Sequence, residues 1–242
     1  MLKADLSLTT PNSTSGNPEI LYEDNHLLIV NKRVGEIVQG DKTGDKPLSD
    51  ILSDYIAQRD SKPGRAYIGV THRLDRPVSG VTIFTKTSKA LERMNELFRS
   101  GGVNKKYWAI IAGAPADESG ELIHYLKKNE EKNRSYAYNY PKVGAKEARL
   151  KYRLLTKGER YSLLEVELLT GRHHQIRCQL AEIGCVIKGD LKYGAPRSNR
   201  DGGISLLARN IRFIHPVSKI EIDVTAPVPD ETLWKFFEQS LK

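Results

Sequence analysis

The chain has only two cysteines among its 242 residues, Cys178 and Cys185, seven positions apart. That number and spacing argue against a disulfide framework or a CxxC metal site, and they suit a reducing cytoplasm. Long apolar runs are missing too, so no segment reads as a membrane span. The start, Met1-Leu2-Lys3-Ala4-Asp5-Leu6, lacks the apolar core of a signal peptide. There is no HExxH, no phosphate-binding GxxxxGK loop, no dinucleotide fingerprint and no GxSxG elbow. These absences argue against zinc hydrolysis, nucleotide cofactors and serine-nucleophile chemistry. No internal repeat is visible.

What is present is charge. Lys and Arg number 38 against 30 Asp and Glu, a net charge of +8. An excess of cations favours a polyanionic partner, because each neutralised phosphate releases a counterion. The hydrophobic share is 39% and the charged share 28%, enough for a sizeable core under a well-charged surface. The length suits one large domain or two small ones. We expect a monomer, since no apolar stripe stands out.

Residues 7–18 are rich in Ser, Thr, Asn, Gly and Pro, so 1–18 read as a flexible tail, with one domain over 19–242. Leu27-Leu28-Ile29-Val30 reads as a buried strand. Leu48, Ile51, Leu52, Tyr55 and Ile56 share one helical face after Pro47. Ser88 is placed as the cap of a second helix, with Leu91, Met94, Leu97 and Phe98 inward and Gly101-Gly102 as its stop. Strands are expected at 103–112, 121–126, 135–139, 148–155, 161–169, 205–208 and 219–224. Helices are expected at 173–183, stopped by Gly184, and at 231–241, with Leu233, Phe236 and Phe237 inward. This order predicts an α+β fold with a mixed, mainly antiparallel central sheet and flanking helices.

Two stretches carry the chemistry. Thr71-His72-Arg73-Leu74-Asp75 lies on a short loop between two strand-like runs, with one carboxylate flanked by cations. Leu74 is placed to anchor that loop in the core. Asp75 is then either a reactive carboxylate or half of a structural ion pair. Gly171-Arg172-His173-His174-Gln175-Ile176-Arg177 follows a strand and opens a helix, a place where free N–H groups attract anions. It reads as an anion site or as a solvated basic helix start. Adjacent His173 and His174 on a helix would point about 100° apart, which disfavours a shared metal. Lys105 and Lys106 precede Tyr107 on a strand, a pattern that either stacks on a base or packs a sheet. Gly189-Asp190-Leu191-Lys192-Tyr193-Gly194 reads as a loop with a demanding backbone.

In their order, these segments resemble the RluA-type pseudouridine synthases. The matching pieces are Leu21-Tyr22-Glu23-Asp24 with Asn31-Lys32, His72-Arg73-Leu74-Asp75 with Ser79-Gly80, Lys106-Tyr107, Gly171 to Arg177, and Gly189-Asp190 with Tyr193-Gly194. The resemblance runs from about Ile20 onward. It implies a cleft for structured RNA, rRNA or tRNA, and isomerisation of uridine to pseudouridine without metal or cofactor. It implies that Asp75 is the catalytic aspartate, Arg177 its ion-pair partner, and Tyr107 the group under the uracil and near the proton step. Ile187 would line the other side of the base, and Arg73 would hold the flipped nucleotide. His72, Lys106, Arg172, His174 and Gln175 are further substrate-binding candidates. The chain departs from the family pattern at Arg33, where a proline is common, and at Gln179 and Leu207, where histidine is frequent. These positions are expected to be peripheral, and the S4-like RNA-binding domain that precedes many members is not expected here. A non-catalytic RNA-binding factor on the same scaffold is the competing reading.

Overall fold

A computed structural model describes residues 17–241, so the tail expected over 1–18 lies almost wholly outside the described residues. The strands are β1 (Ile20–Glu23), β2 (Leu27–Lys32), β3 (Gly69–Val70), β4 (Ser79–Thr85), β5 (Val103–Ala112), β6 (Ser119–Asn129), β7 (Arg134–Tyr138), β8 (Lys146–Lys157), β9 (Tyr161–Leu168), β10 (Leu206–Ile214) and β11 (Glu221–Thr225). The helices are α1 (Leu48–Arg59), α2 (Ser88–Arg99), α3 (Gln175–Glu182) and α4 (Thr232–Gln239). One sheet runs β1-β2-β4-β10-β5-β9-β8-β6-β7, with β3 added to β4 and β11 to β10. Among the described strands, β4 and β10 alone pair in parallel. The fold is therefore α+β with a mixed, mainly antiparallel sheet. No helix among the described residues is long and apolar enough to cross a membrane.

Period-two alternation sorts the central strands between two cores. Tyr107, Ala109 and Ile111 of β5 join Leu164 and Val166 of β9 and Leu150 and Tyr152 of β8 on one face, where Ile176 and Leu180 of α3 cover them. Ile110 and Leu163 look the other way, toward Met94 of α2 and Trp234 and Phe237 of α4. Leu48, Leu52 and Ile56 of α1 pack on Leu28, Val30 and Phe84.

Some boundaries differ from expectation. The cap of α2 is Thr87, whose hydroxyl accepts the Ala90 N–H, not Ser88 one residue later. In α4 the buried residues are Trp234 and Phe237, while Phe236 is exposed. Strand β10 is far longer than 205–208, because a register shift between Ala208 and Asn210 breaks the alternation that would have revealed it. Helix α3 starts at Gln175, not His173. His174 before it sits at φ +52, in the left-handed region where a helix cannot run.

Candidate active site

The site loop, residues 71–78, leaves β3 and returns along β4. Leu74 is 8% exposed and packs with Tyr107 and Ile187, so the loop is pinned from below. Burying such a side chain contributes about 1.5–3 kcal/mol. The far side is held by Lys32, which is fully buried at the end of β2. Its Nζ donates to the carbonyls of Arg33 at 2.9 Å, Arg76 at 3.2 Å and Val78 at 2.6 Å. Burial pulls this ammonium down to about 8, against the opposing pull of Glu36 and Asp75. Arg76 ties the same loop outward, to Asp45 at 2.6 Å and Thr43 at 2.7 Å. The carboxylate of Asp75 thus sits on a loop fixed at three points, with its side chain 30% exposed.

Arg177, on α3, meets it. Nη1 lies 2.9 Å from Asp75 Oδ2. The guanidinium is itself clamped by Asp190, through Nε at 2.7 Å and Nη2 at 2.9 Å. Asp190 is 1% exposed and Arg177 5%. Burial disfavours this cation, but hydrogen bonds and charge from Asp190, then Asp75, outweigh it and hold its pKa above the ordinary arginine value. Asp190 reaches this position through the turn from Gly189 to Gly194, both at positive φ. A side chain at Gly194 would be strained, and one at Gly189 would also meet Asn199.

His174 completes the mouth. Its Nε2 is 3.5 Å from Asp75 Oδ2 and its Nδ1 is 3.1 Å from the Tyr193 hydroxyl. Burial, with Arg177 and His173 assisting, holds it near 3 despite the attraction of Asp75. The ring is therefore neutral. The Tyr193 hydroxyl, which also lies 3.3 Å from the Ser135 carbonyl, holds the ring in place from behind. His173 and His174 are not splayed as on a helix. Their rings stack at 3.8 Å and 20°, because the left-handed turn at His174 brings them parallel.

Tyr107 is buried in the same apolar cluster as Leu74 and Ile187. Burial, and then the charge of Asp75, raises its phenol pKa well above the usual range, so it stays protonated. Ile187 is 1% exposed and bridges Ile111 of β5. Arg73 is exposed beside Asp75.

Other candidates lie elsewhere or are already engaged. Lys106 points to the opposite face from Tyr107, as strand alternation requires, and its Nζ is 3.4 Å from Glu165. Gln175 is buried and closes the turn before α3: its carbonyl accepts from Arg172 N–H and the Thr170 hydroxyl, and its amide donates to Arg149 O. His72 accepts the Ile83 N–H at 3.0 Å and packs on Phe98. Arg172 donates through Nε to Glu147 O, at the rim. Gln179 and Leu207 are core positions, not peripheral ones: Gln179 is fully buried against His124 and the Ala148 carbonyl. Leu207 is 1% exposed. Arg33 uses the N–H that a proline would lack to bind Glu36 at 2.7 Å. Sequence reasoning gave Lys32 and Tyr193 no role, although both lie in the segments that carry the resemblance. It gave Asp190 no role beyond its place in the Gly189 to Gly194 loop. Among the described residues, no group of three or more His, Cys, Asp or Glu is placed to hold a metal. Cys178 is buried, which pushes its thiol up to about 12, so it is no nucleophile at neutral pH.

The backbone defines the class first. It superposes on the human RNA pseudouridylate synthase domain containing 4 protein with a TM-score of 0.73, over 92% of each chain at 23% identity. This is the pseudouridine synthase fold. Residues 26–182 match the RNA pseudouridylate synthase family, and the chain belongs to that family. It is 31% identical to tRNA pseudouridine synthase C of Vibrio vulnificus over 242 aligned positions, covering 91% of this chain and 94% of that protein. It is 31% identical to ribosomal large subunit pseudouridine synthase D of Zymomonas mobilis, covering 88% of this chain and 70% of that protein. An uncharacterized RNA pseudouridine synthase of Synechocystis is also 31% identical, and the chain spans 65% of its length.

Proposed function

We propose that this protein converts uridine in structured RNA, a stem-loop of rRNA or tRNA, to pseudouridine, with Asp75 as the catalytic carboxylate and no cofactor. One observation carries this reading. Asp75 Oδ2 stands 2.9 Å from Arg177 Nη1, at a partly open mouth above an apolar floor that includes Tyr107, Leu74 and Ile187. A surface charge pair would have no such floor.

The reaction breaks the bond from ribose C1′ to uracil N1 and forms one from C1′ to C5. The proton on C5 then leaves to solvent and N1 takes one up, so the product has the composition of the substrate. The target base must leave its stack, which costs a few kcal/mol and least in a loop. A uracil laid on that floor, against Tyr107 with Ile187 behind, recovers part of that cost by stacking and burial. Asp75 then acts on the sugar or the ring, as nucleophile or base. Arg177 orients it and offsets its charge. Tyr107 stays protonated, so its hydroxyl orients the water that takes the C5 proton. Arg73 holds the flipped nucleotide from the exposed side.

The test uses purified protein and cellular RNA tritiated at uracil C5. Wild type releases tritium to water. Asp75→Asn releases none above background while keeping its unfolding midpoint and its RNA affinity. Equal release by both proteins would leave a site without chemistry at Asp75.

A further inference from the structure

A recess beside His173 has no part in the steps above. It measures about 280 Å³. That is below the ~300–1,000 Å³ of sites that enclose a whole small molecule, and it suits one charged group of a longer ligand. Its walls come from β6, β7, the start of β8 and the turn before α3. Lys128, Lys146, Arg172, Ser135 and His173 line it, and no carboxylate does. Lys128 pairs at the rim with Glu130, whose side chain is 77% exposed. Arg172 is held through Nε by the Glu147 carbonyl at 2.8 Å, which leaves its terminal nitrogens for a ligand.

The polar wall is built. The Ser135 hydroxyl donates to the His173 carbonyl at 2.7 Å and lies 2.9 Å from His173 Nδ1. His173 stacks on His174, and His174 Nε2 lies 3.5 Å from Asp75. So three cations converge on a recess that is separated from the reactive carboxylate by two stacked rings. Glu130 pairs with only one of the three, and an anion seated among them relieves the repulsion that remains.

We infer that the recess seats one phosphodiester of the RNA strand, next in line to the uridine at Asp75, through Lys128, Lys146 and Arg172. The inference rests on the RNA reading above and adds a specific register to it: one backbone phosphate is gripped in a fixed place while the neighbouring base is turned out. Phosphate contacts of this kind position a strand without reading its sequence.

The test measures binding of a fluorescent stem-loop carrying the mapped target uridine, in the Asp75→Asn background so that nothing turns over. Single uncharged methylphosphonate linkages are walked past the uridine. One linkage adjacent to it weakens binding in the protein with intact lysines, and weakens it markedly less in Lys128→Ala/Lys146→Ala, where Arg172 alone remains. Removing the two cations weakens binding roughly tenfold and lowers the salt slope by about 0.7 for each loop phosphate that is no longer neutralised. Weakening spread evenly over all linkages in both proteins, or an unchanged salt slope, overturns the inference. So does saturable binding of inorganic phosphate that the stem-loop fails to displace, since the recess would then serve a free anion. Failure of the RNA reading looks different, since the wild type would then modify no uridine at all.

Discussion

Arg177 and Asp190 form a closed, two-bond ion pair at 2.7 and 2.9 Å, both almost wholly buried. The remaining nitrogen of the guanidinium points out of that pair, to Asp75. Asp75 is thus aimed by a cation whose own orientation is set from behind. Breaking a buried pair by removing one partner leaves an uncompensated charge and costs about 3–5 kcal/mol. Asp190→Ala should lose stability of that order in urea unfolding, with activity falling further because Arg177 can turn. A loss below about 1 kcal/mol would mean the pair is solvated.

Acid should unfold this protein partly through His174. Burial holds its folded pKa near 3, against about 6.5 when unfolded. Between those values the unfolded chain binds a proton that the folded chain does not. Stability therefore rises with pH across the window and is lost as pH falls through it, by up to ~1.4 kcal/mol per pH unit. His72, also held near 3, by burial and then Lys105, adds in the same sense. Urea midpoints of wild type and His174→Asn should converge as the pH falls from about 6 to about 4. Parallel curves would show that His174 is not neutral and buried.

Gly80 should not tolerate a side chain. It sits at φ +115, and an added Cβ would press on the backbone of Ala208, where β4 meets β10 in parallel. The backbone term alone is on the order of 1–3 kcal/mol. Gly80→Ala should unfold earlier and lose activity, since β4 carries the end of the site loop. A variant as stable as wild type would mean that the β4–β10 junction is looser than described.

Tyr107 separates packing from proton transfer. Tyr107→Phe keeps the ring and should keep substrate affinity, with kcat lowered ~10²–10⁴-fold if the hydroxyl serves the C5 proton. Tyr107→Ala should lose affinity as well. Wild-type turnover in the Phe variant would leave the hydroxyl without a role.

Much of this is legible in the residues. Strand alternation in β5 and β9 and the apolar face of α1 place those elements within a few positions, and Leu74 anchors its loop as its position between Arg73 and Asp75 suggests. The meeting of Asp75 with Arg177 spans 102 positions and comes from the resemblance, since local pattern cannot pair such distant groups. Lys106 and Gln175 have partners away from Asp75 for local reasons. Strand alternation turns one away, and a turn consumes both ends of the other's amide. The stacked histidines are hidden because nothing in the residue order announces a left-handed His174. Lys32 is hidden because a fully buried lysine is rare enough that sequence alone argues against it.

Chemistry by Asp75 on an RNA uridine has a readout in cells. The most direct measurement maps pseudouridines in rRNA and tRNA from a strain lacking this protein, complemented with wild type or with Asp75→Asn. At least one uridine should be modified with wild type and stay unmodified with Asp75→Asn, although the variant protein is present at the same level. Full modification in the Asp75→Asn strain, or no site that depends on the protein, would contradict it.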